Sequence, residues 1–497
     1  MASYDVVVIG AGIIGTIIAR ELTRYRLKVA ILERANDVSM GATKANSAIV
    51  HGGYAEPKTT LRGRLCYPGR KQFKRLNEEL NFGFRETGSL VVVSEDDTAS
   101  LQALFEQGVA NGLTDLSIIG ADEIRRMEPA LSPDIKWALH CRGAGVCSPY
   151  EMAIALAENA VANGARLQLD EEVVRIAKQK NGFVVTTGPS QYQTRYVINT
   201  AGIHADRIAQ MVGLDDFKII PRSGAYILFV RGTGDPINNI IFQLPTSQSK
   251  GVVLTSTYHG NLMIGPDAAD QEDREDTSTQ IERVAAIYQS CQRLYPDMDP
   301  GKFLRSFAGI RAKSTTDDFI IEETSVPGFI NVAGIQSPGL TAAPAIADLV
   351  LDILENAGLE LNKDPDFNPN RRPIITRQPL LPYPEIEHLV DIPPSKEKII
   401  CRCEQVTEGE IVDALHRGIP VQSIDGAKRR TRASMGWCQG GFCHPRIAEV
   451  MERESGKSID PLFDIEHSGV NRVGKSELKD YLDGLCGSPL GGQKTNK

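Results

Sequence analysis

Four cysteines stand in two close pairs near the C-terminus, Cys401-Arg402-Cys403 and Cys438-Gln439-Gly440-Gly441-Phe442-Cys443. Four thiolates arranged in pairs can hold a [2Fe-2S] cluster. Structural zinc more usually takes C-x2-C pairs, whereas these are C-x-C and C-x4-C. The spacing favours iron–sulfur, with zinc and bystander thiols as the alternatives, and Gly440 and Gly441 can accommodate the wider second pair. Cys66, Cys141, Cys147, Cys291 and Cys486 have no paired spacing and read as ordinary thiols. A second chemistry is written at the other end of the chain, in Gly10-Ala11-Gly12-Ile13-Ile14-Gly15. Gly10 allows a tight turn, Gly12 lets a pyrophosphate approach the backbone, and Gly15 lets a helix and a strand pack closely. Amides and the dipole at a helix start favour anionic phosphates. Glu33 lies at the distance expected for an acid that binds a ribose hydroxyl.

The elements that would hold these residues follow from the apolar pattern. Tyr4–Ile9 has strand length, Thr16–Leu22 has helical period, and Val29–Leu32 is a second strand closing on Glu33, which together make a βαβ unit. The loop Ser39–Tyr54 is rich in small and polar residues and suits the lining of a bulky cofactor. Residues 61–80 are helical in period, as is Tyr150–Asn163. Tyr196–Ala201 and Gly328–Gly334 are apolar strands ending on small residues, at Gly202 and Gly334. From Ile219 to Gly265 the pattern alternates and turns often, as in an antiparallel sheet. Ala342–Asn356 is helical. Residues 357–397 form a proline-rich linker, residues 398–460 a small module with two short helices (Glu408–Arg417 and Val421–Arg432), and residues 461–497 an extension whose tail is expected to be disordered. The run Lys428-Arg429-Arg430-Thr431-Arg432 reads as a solvated face, or as a patch that offsets cluster charge or docks an acidic partner.

With these residues in view, the first 356 or so resemble the FAD-dependent D-amino-acid-oxidase-like superfamily. Within it they look closest to glycerol-3-phosphate dehydrogenases of the anaerobic type and to L-2-hydroxyglutarate oxidases. The pieces that carry the likeness are the glycine turn with Glu33-Arg34, the stretch Thr43–Tyr54, Val197–Gly202, Gly309-Ile310-Arg311 and Gly334–Thr341. Cys401–Cys443 resembles the bacterioferritin-associated-ferredoxin-like [2Fe-2S] domain. The resemblance implies an α/β (α+β) protein. A discontinuous Rossmann-like FAD-binding domain (about 1–80, 145–215 and 305–356) would hold an inserted antiparallel-sheet substrate domain (about 81–144 and 216–304), and a small helical [2Fe-2S] domain would follow.

It further implies FAD rather than NAD at Gly10, Gly12, Gly15, Glu33 and Arg34. Thr43, Asn46 and Ser47 would line its phosphates or ring, Val173 its adenine, and Gly202 and Gly334 the ends of neighbouring strands. Gly339, Leu340 and Thr341 would start a helix aimed at the flavin, where a helix N-terminus stabilises the negative charge of the reduced ring. His51 is the expected base for an alcohol proton, since histidine titrates near working pH. Tyr258 and His259 are rivals. Arg311 is expected to hold the substrate's anionic group through its planar fork, with Lys313 assisting, and a guanidinium does not separate carboxylate from phosphate.

The expected reaction is oxidation of sn-glycerol 3-phosphate to dihydroxyacetone phosphate, with electrons passed through the cluster to a second flavoprotein, another electron-transfer subunit or quinone. L-2-Hydroxyglutarate, or an imino or amino acid such as proline, is the alternative substrate, and a non-catalytic electron-transfer subunit is the alternative class. Bulk properties agree. At 497 residues the chain is long enough for about three domains, and a net charge of -8 without a basic stripe argues against nucleic acid. No apolar run approaches the roughly 20 residues that span a bilayer. The chain enters its first strand at once, so no secretory signal is expected. Nine cysteines without such a signal point to a reducing compartment. The expected location is the cytoplasm, with association to the inner membrane only through a partner.

Overall fold

The computed structural model describes residues 2–95, 98–244, 251–372, 374, 398–459 and 470–487. Most of the linker and the tail lie outside the described residues.

Alternation along the first strand, Ala2–Ile9, sets the central architecture. Val6 and Val8 face one hydrophobic core, while Val7 and Ile9 face another, and all four are buried. A strand buried on both faces reads as a continuous apolar run, as parallel sheets do. Ala2–Ile9 pairs in parallel with Val29–Leu32 and with Gln191–Asn199, and the latter pairs in parallel with Phe329–Ala333. The helices Ile13–Leu22, Pro149–Ala162 and Gly339–Asn356 cover one face of this sheet. Its other face packs on Ala205, Phe217 and the antiparallel strands Val173–Gln179 and Gly182–Thr187.

A nine-stranded, mostly antiparallel sheet forms the second layer system. Its long central strand, Ile219–Arg231, pairs with Phe303–Ser314 over most of its length. That strand was expected in the FAD-binding part from residue 305, and it lies in the antiparallel sheet instead. The reason is its backbone ladder with Ile219–Arg231, in which Gly224 stands opposite Gly309. A Cβ on Gly309 would sit 1.9 Å from the carbonyl oxygen of Ala45, so the missing side chain lets this sheet press directly on the loop after Glu33. The helix Ile281–Leu294 packs on the sheet, and Val473 and Leu478 of the C-terminal extension join the same core.

The third body is small. A hairpin of Ile399–Cys401 and Val406–Thr407 precedes three helices, Glu408–Leu415, Ile424–Thr431 and His444–Ser455. Thr407 and Glu410 cap the first of these reciprocally. Ile400, Ile411, Ile424, Ile447 and Met451 fill its core. No helix among the described residues is long and apolar enough to cross a membrane.

Candidate functional site

The glycine turn is shaped by what would collide. Gly10 has φ +103, and a Cβ there would meet Thr200 O at 2.7 Å; a Cβ on Gly15 would meet Gly10 O at 1.9 Å. On Gly12 the nearest atom would be Thr43 Oγ1 at 3.3 Å, which leaves an open concavity above the helix start. Thr43 accepts a hydrogen bond from Ile13 N at 3.0 Å. Glu33 accepts from Ala11 N at 2.7 Å and Ala35 N at 2.9 Å. Burial raises its pKa, and those two amides work against the rise. Ser39 donates its N–H to Ala11 O at 2.9 Å, and its buried hydroxyl has no partner among the described residues. An open cradle of amides, an acid beside it and an unused hydroxyl suit a polar, phosphate-bearing ligand.

A cavity of about 1210 Å³ runs from this cradle between the two sheets to the small module. Gly10, Gly12, Glu33 and Arg34 line it, as do Asn46, Val173 and Gly202. Gly15, Thr43, Ser47 and Gly334 are not on its wall, nor are Gly339, Leu340 and Thr341. Arg34 pairs with Glu275 at 3.0 Å, and Asn46 braces its loop through Thr43 O at 2.8 Å and Ala48 N at 2.7 Å. Gly334, with φ +68, makes a turn against Ser314.

His51 and Thr341 meet although 290 residues separate them: His51 N donates to Thr341 Oγ1 at 2.9 Å. Thr341 is fully buried in the first turn of Gly339–Asn356, so this helix start is anchored on the His51 strand. His51 Nε2 lies 3.2 Å from Ser337 Oγ, and its ring packs 5.8 Å from Phe242. Burial lowers its pKa to about 4, so the imidazole is neutral at neutral pH. The rival His259 is engaged with Glu151 at 3.1 Å, while Tyr258 lines the cavity.

Arg311 follows Gly309 on the same face of its strand. It donates to Asp267 O at 3.2 Å and, with Ser47, hydrogen-bonds Tyr226, which stacks on Phe307 at 4.9 Å. The fork and the loop serine are therefore brought to one phenol. Tyr226 was not singled out from sequence, because an aromatic in Ala225–Val230 reads as ordinary strand core.

The basic run 428–432 is not a solvated face. Arg429 Nη2 and Arg430 Nη1 reach Asp37 Oδ2 at 2.7 and 2.8 Å, and Arg430 Nη2 reaches Asp37 Oδ1 at 2.8 Å. Burial alone would raise the Asp37 pKa; Arg430, then Arg429, overcome it and bring it to about 2. Arg432 donates to Glu404 at 3.0 Å, Tyr150 at 3.4 Å and Asn261 at 3.3 Å. Tyr150, Asn261 and Arg432 line the large cavity, and Glu404 is the neighbour of Cys403. Glu158 adds a further clasp to Arg417 at 3.0 Å and Arg371 at 2.7 Å. The module is thus bolted to the nucleotide-binding body by buried ion pairs.

All four predicted cysteines line one pocket of about 190 Å³. Cys403 and Cys438 sulfurs are 3.6 Å apart. Cys401 and Cys443 form the second pair: the Cys443 thiol, then backbone groups of Ser434 and Glu404, lower Cys401 to about 6, and Cys443 is pushed up. Backbone N–H groups of Phe442 and Gly440 lower Cys438. No three His, Cys, Asp or Glu side chains among the described residues converge on a single ion. Two sulfur pairs, each served by backbone amides, match two thiolates per iron better than one tetrahedral zinc.

Residues 5–353 match the family model described as FAD dependent oxidoreductase, and residues 399–453 match the BFD-like [2Fe-2S] binding domain. The chain is 45% identical over 468 residues to a glycerol 3-phosphate dehydrogenase of Caloramator mitchellensis, covering 94% of this chain and 97% of that one. It is 28% identical over 397 residues to the mitochondrial L-2-hydroxyglutarate dehydrogenase of Arabidopsis thaliana, covering 69% of this chain and 82% of that one. Among solved structures, the dithionite-reduced, FAD-bound L-alpha-glycerophosphate oxidase of Mycoplasma pneumoniae superposes with a TM-score of 0.71 at 29% identity, covering 76% of this chain and 100% of that one.

Proposed function

The chain belongs to the FAD dependent oxidoreductase family and carries a BFD-like [2Fe-2S] domain, and from that premise we propose that it is a dehydrogenase of sn-glycerol 3-phosphate. The product is dihydroxyacetone phosphate, and the electrons leave through the small module to a partner subunit or quinone. The observation that carries the reading is the 45% identity to a glycerol 3-phosphate dehydrogenase over 94% of the chain; the L-2-hydroxyglutarate dehydrogenase is more distant and covers 69% of it.

When bound, FAD supplies a two-electron acceptor for hydride and the [2Fe-2S] cluster a one-electron carrier. Gly10, Gly12 and Gly15 would hold the FAD pyrophosphate, with Glu33 at the ribose, Val173 at the adenine and Arg34 beside Glu33. Thr43, Asn46, Ser47, Gly202 and Gly334 would shape the loops around FAD, and Gly339, Leu340 and Thr341 would supply a helix start that stabilises the reduced ring. His51 takes the proton of the C2 hydroxyl at Nε2. Its low pKa keeps the imidazole neutral and so able to accept a proton, with Ser337 fixing the ring. Arg311 holds the phosphate, with Tyr226 and Asp267 O setting the direction of its fork. Cys401, Cys403, Cys438 and Cys443 would hold the [2Fe-2S] cluster.

Anaerobic addition of glycerol 3-phosphate should bleach the flavin, while L-2-hydroxyglutarate and proline leave it oxidised. Preference for L-2-hydroxyglutarate would reassign the substrate, and no bleaching by any of the three would make this a non-catalytic subunit. Arg311→Ala should raise KM by about 10²-fold with flavin content unchanged, the loss of a charge-assisted contact of roughly 2–3 kcal/mol.

A further inference from the structure

The two sulfur pairs differ in exposure. Cys401 and Cys443 are buried, Cys438 is half-buried and Cys403 is exposed. Beside the outward pair stand Phe442, 78% exposed and lining the sulfur pocket, and Trp437, 58% exposed and adjacent to Cys438. Five large hydrophobic residues are exposed among those described, and three of them, Ile399, Trp437 and Phe442, belong to this small module. Aromatic side chains held in water at the edge of a redox centre are costly unless something covers them.

The charge around them is one-sided. Arg402 lines the sulfur pocket and is exposed. Lys302, from the antiparallel sheet's side, sits 5.8 Å from the Trp437 ring. Arg446 is exposed on the first turn of His444–Ser455, and Arg231 is 43% exposed. Glu404, next to Cys403, is buried and paired with Arg432 and Arg231, and Asp299, the exposed acid near Lys302, accepts from Gly301 N in its own turn. A basic rim on a chain of net charge -8 marks a local preference for an acidic surface.

We propose that the face formed by Cys403, Cys438, Trp437 and Phe442, rimmed by Lys302 and Arg402, docks a one-electron acceptor protein with an acidic surface. The proposal rests on the reading of the module as an electron-transfer cluster and deepens it. A small apolar patch inside a charged rim is the make-up of a transient redox encounter rather than a permanent subunit interface. Each alcohol oxidised releases two electrons and two protons. The acceptor would take these electrons singly at this face, so two acceptor molecules are reduced per alcohol oxidised and the two protons go to solvent.

The soluble haem domain of cytochrome b5, which is acidic, serves as the probe, with basic cytochrome c and ferricyanide as controls. With the holoenzyme and glycerol 3-phosphate, cytochrome b5 should be reduced faster than cytochrome c at low salt, and its rate should fall as ionic strength rises. The double variant Trp437→Ala/Phe442→Ala should lower the cytochrome b5 rate about tenfold or more, with cluster absorbance, flavin bleaching and ferricyanide reduction kept. Lys302→Glu, remote in sequence from the cysteines, should lower it too. Wild-type protein should broaden the amide signals of labelled cytochrome b5, and the double variant should not. Reduction of cytochrome c faster than cytochrome b5, or unchanged rate and broadening in the double variant, would overturn the docking face. Failure of flavin bleaching would instead overturn the dehydrogenase reading.

Discussion

Asp37 is the residue whose removal should be felt furthest from where it sits. Its carboxylate is 1% exposed and is shared by Arg429 and Arg430, with side-chain exposures of 6% and 2%. A pKa lowered from 3.8 to about 2 corresponds to about 2 kcal/mol at neutral pH, at roughly 1.4 kcal/mol per unit. The sign is that of a depressed carboxylate: this stabilisation is present above pH 3.8 and is lost as pH falls toward 2. Asp37→Ala goes further, because it leaves two buried guanidinium groups without this counter-charge, a cost of about 3–5 kcal/mol. The variant should show that loss in urea unfolding. It should also keep substrate-driven flavin bleaching while reduction of the cluster by substrate slows, since one of the module's clasps is lost. Both are read in one anaerobic stopped-flow trace. Replacing Arg429 and Arg430 with Leu in the Asp37→Ala background should recover much of the stability, because the uncompensated charges go with them. A loss below about 1 kcal/mol, or a triple variant no more stable than Asp37→Ala, would refute the reasoning.

Three further outcomes follow from the same geometry. His51→Ala should lower kcat by about 10²–10⁴ with FAD retained, and in the parent protein kcat/KM should hold on the acid side down to about pH 4, the point at which the buried imidazole protonates; a limb near 6.5 would remove His51 as the base. Gly15→Ala puts a methyl 1.9 Å from Gly10 O, and should yield protein lacking bound flavin and destabilised by about 1–3 kcal/mol or more, measured by absorbance and thermal melting. Cys403→Ser should abolish the cluster's visible absorbance while glycerol 3-phosphate still bleaches the flavin.

What the sequence disclosed divides along contact range. The βαβ unit was legible because its strand, glycines, helix and acid are consecutive, and period alone separates the elements. The cysteine quartet was legible for the same reason, as local spacing. The pattern of Phe303–Ser314 fits either sheet, and only its long-range ladder with Ile219–Arg231 decides which one takes it. Asp37 and the 428–432 run are 392 residues apart at Arg429, and nothing in either stretch names the other. A cluster of basic residues is a solvated face by default, and here tertiary pairing overrides that. Tyr226 was invisible for a related reason: strands carry aromatics routinely, and its tie to Arg311 and Ser47 exists only across the sheet and loop.

The oxidase structure from Mycoplasma pneumoniae is matched along its whole length by 76% of this chain, and residues 399–453 make a separate match to the BFD-like domain, a module fastened by Asp37 and Glu158. Fastening is a physical requirement of the proposed relay. A tethered module free on its linker would meet the cavity only intermittently, whereas buried guanidinium clasps fix one orientation. In that orientation Arg432 bridges the cavity wall at Tyr150 to Glu404, beside Cys403, and the Cys403–Cys438 edge with Trp437 and Phe442 is turned to solvent. The same module therefore has an inner side held against the large cavity and an outer side left uncovered. An oxidase that hands both electrons to oxygen needs neither, and a dehydrogenase that sends them singly to another protein needs both.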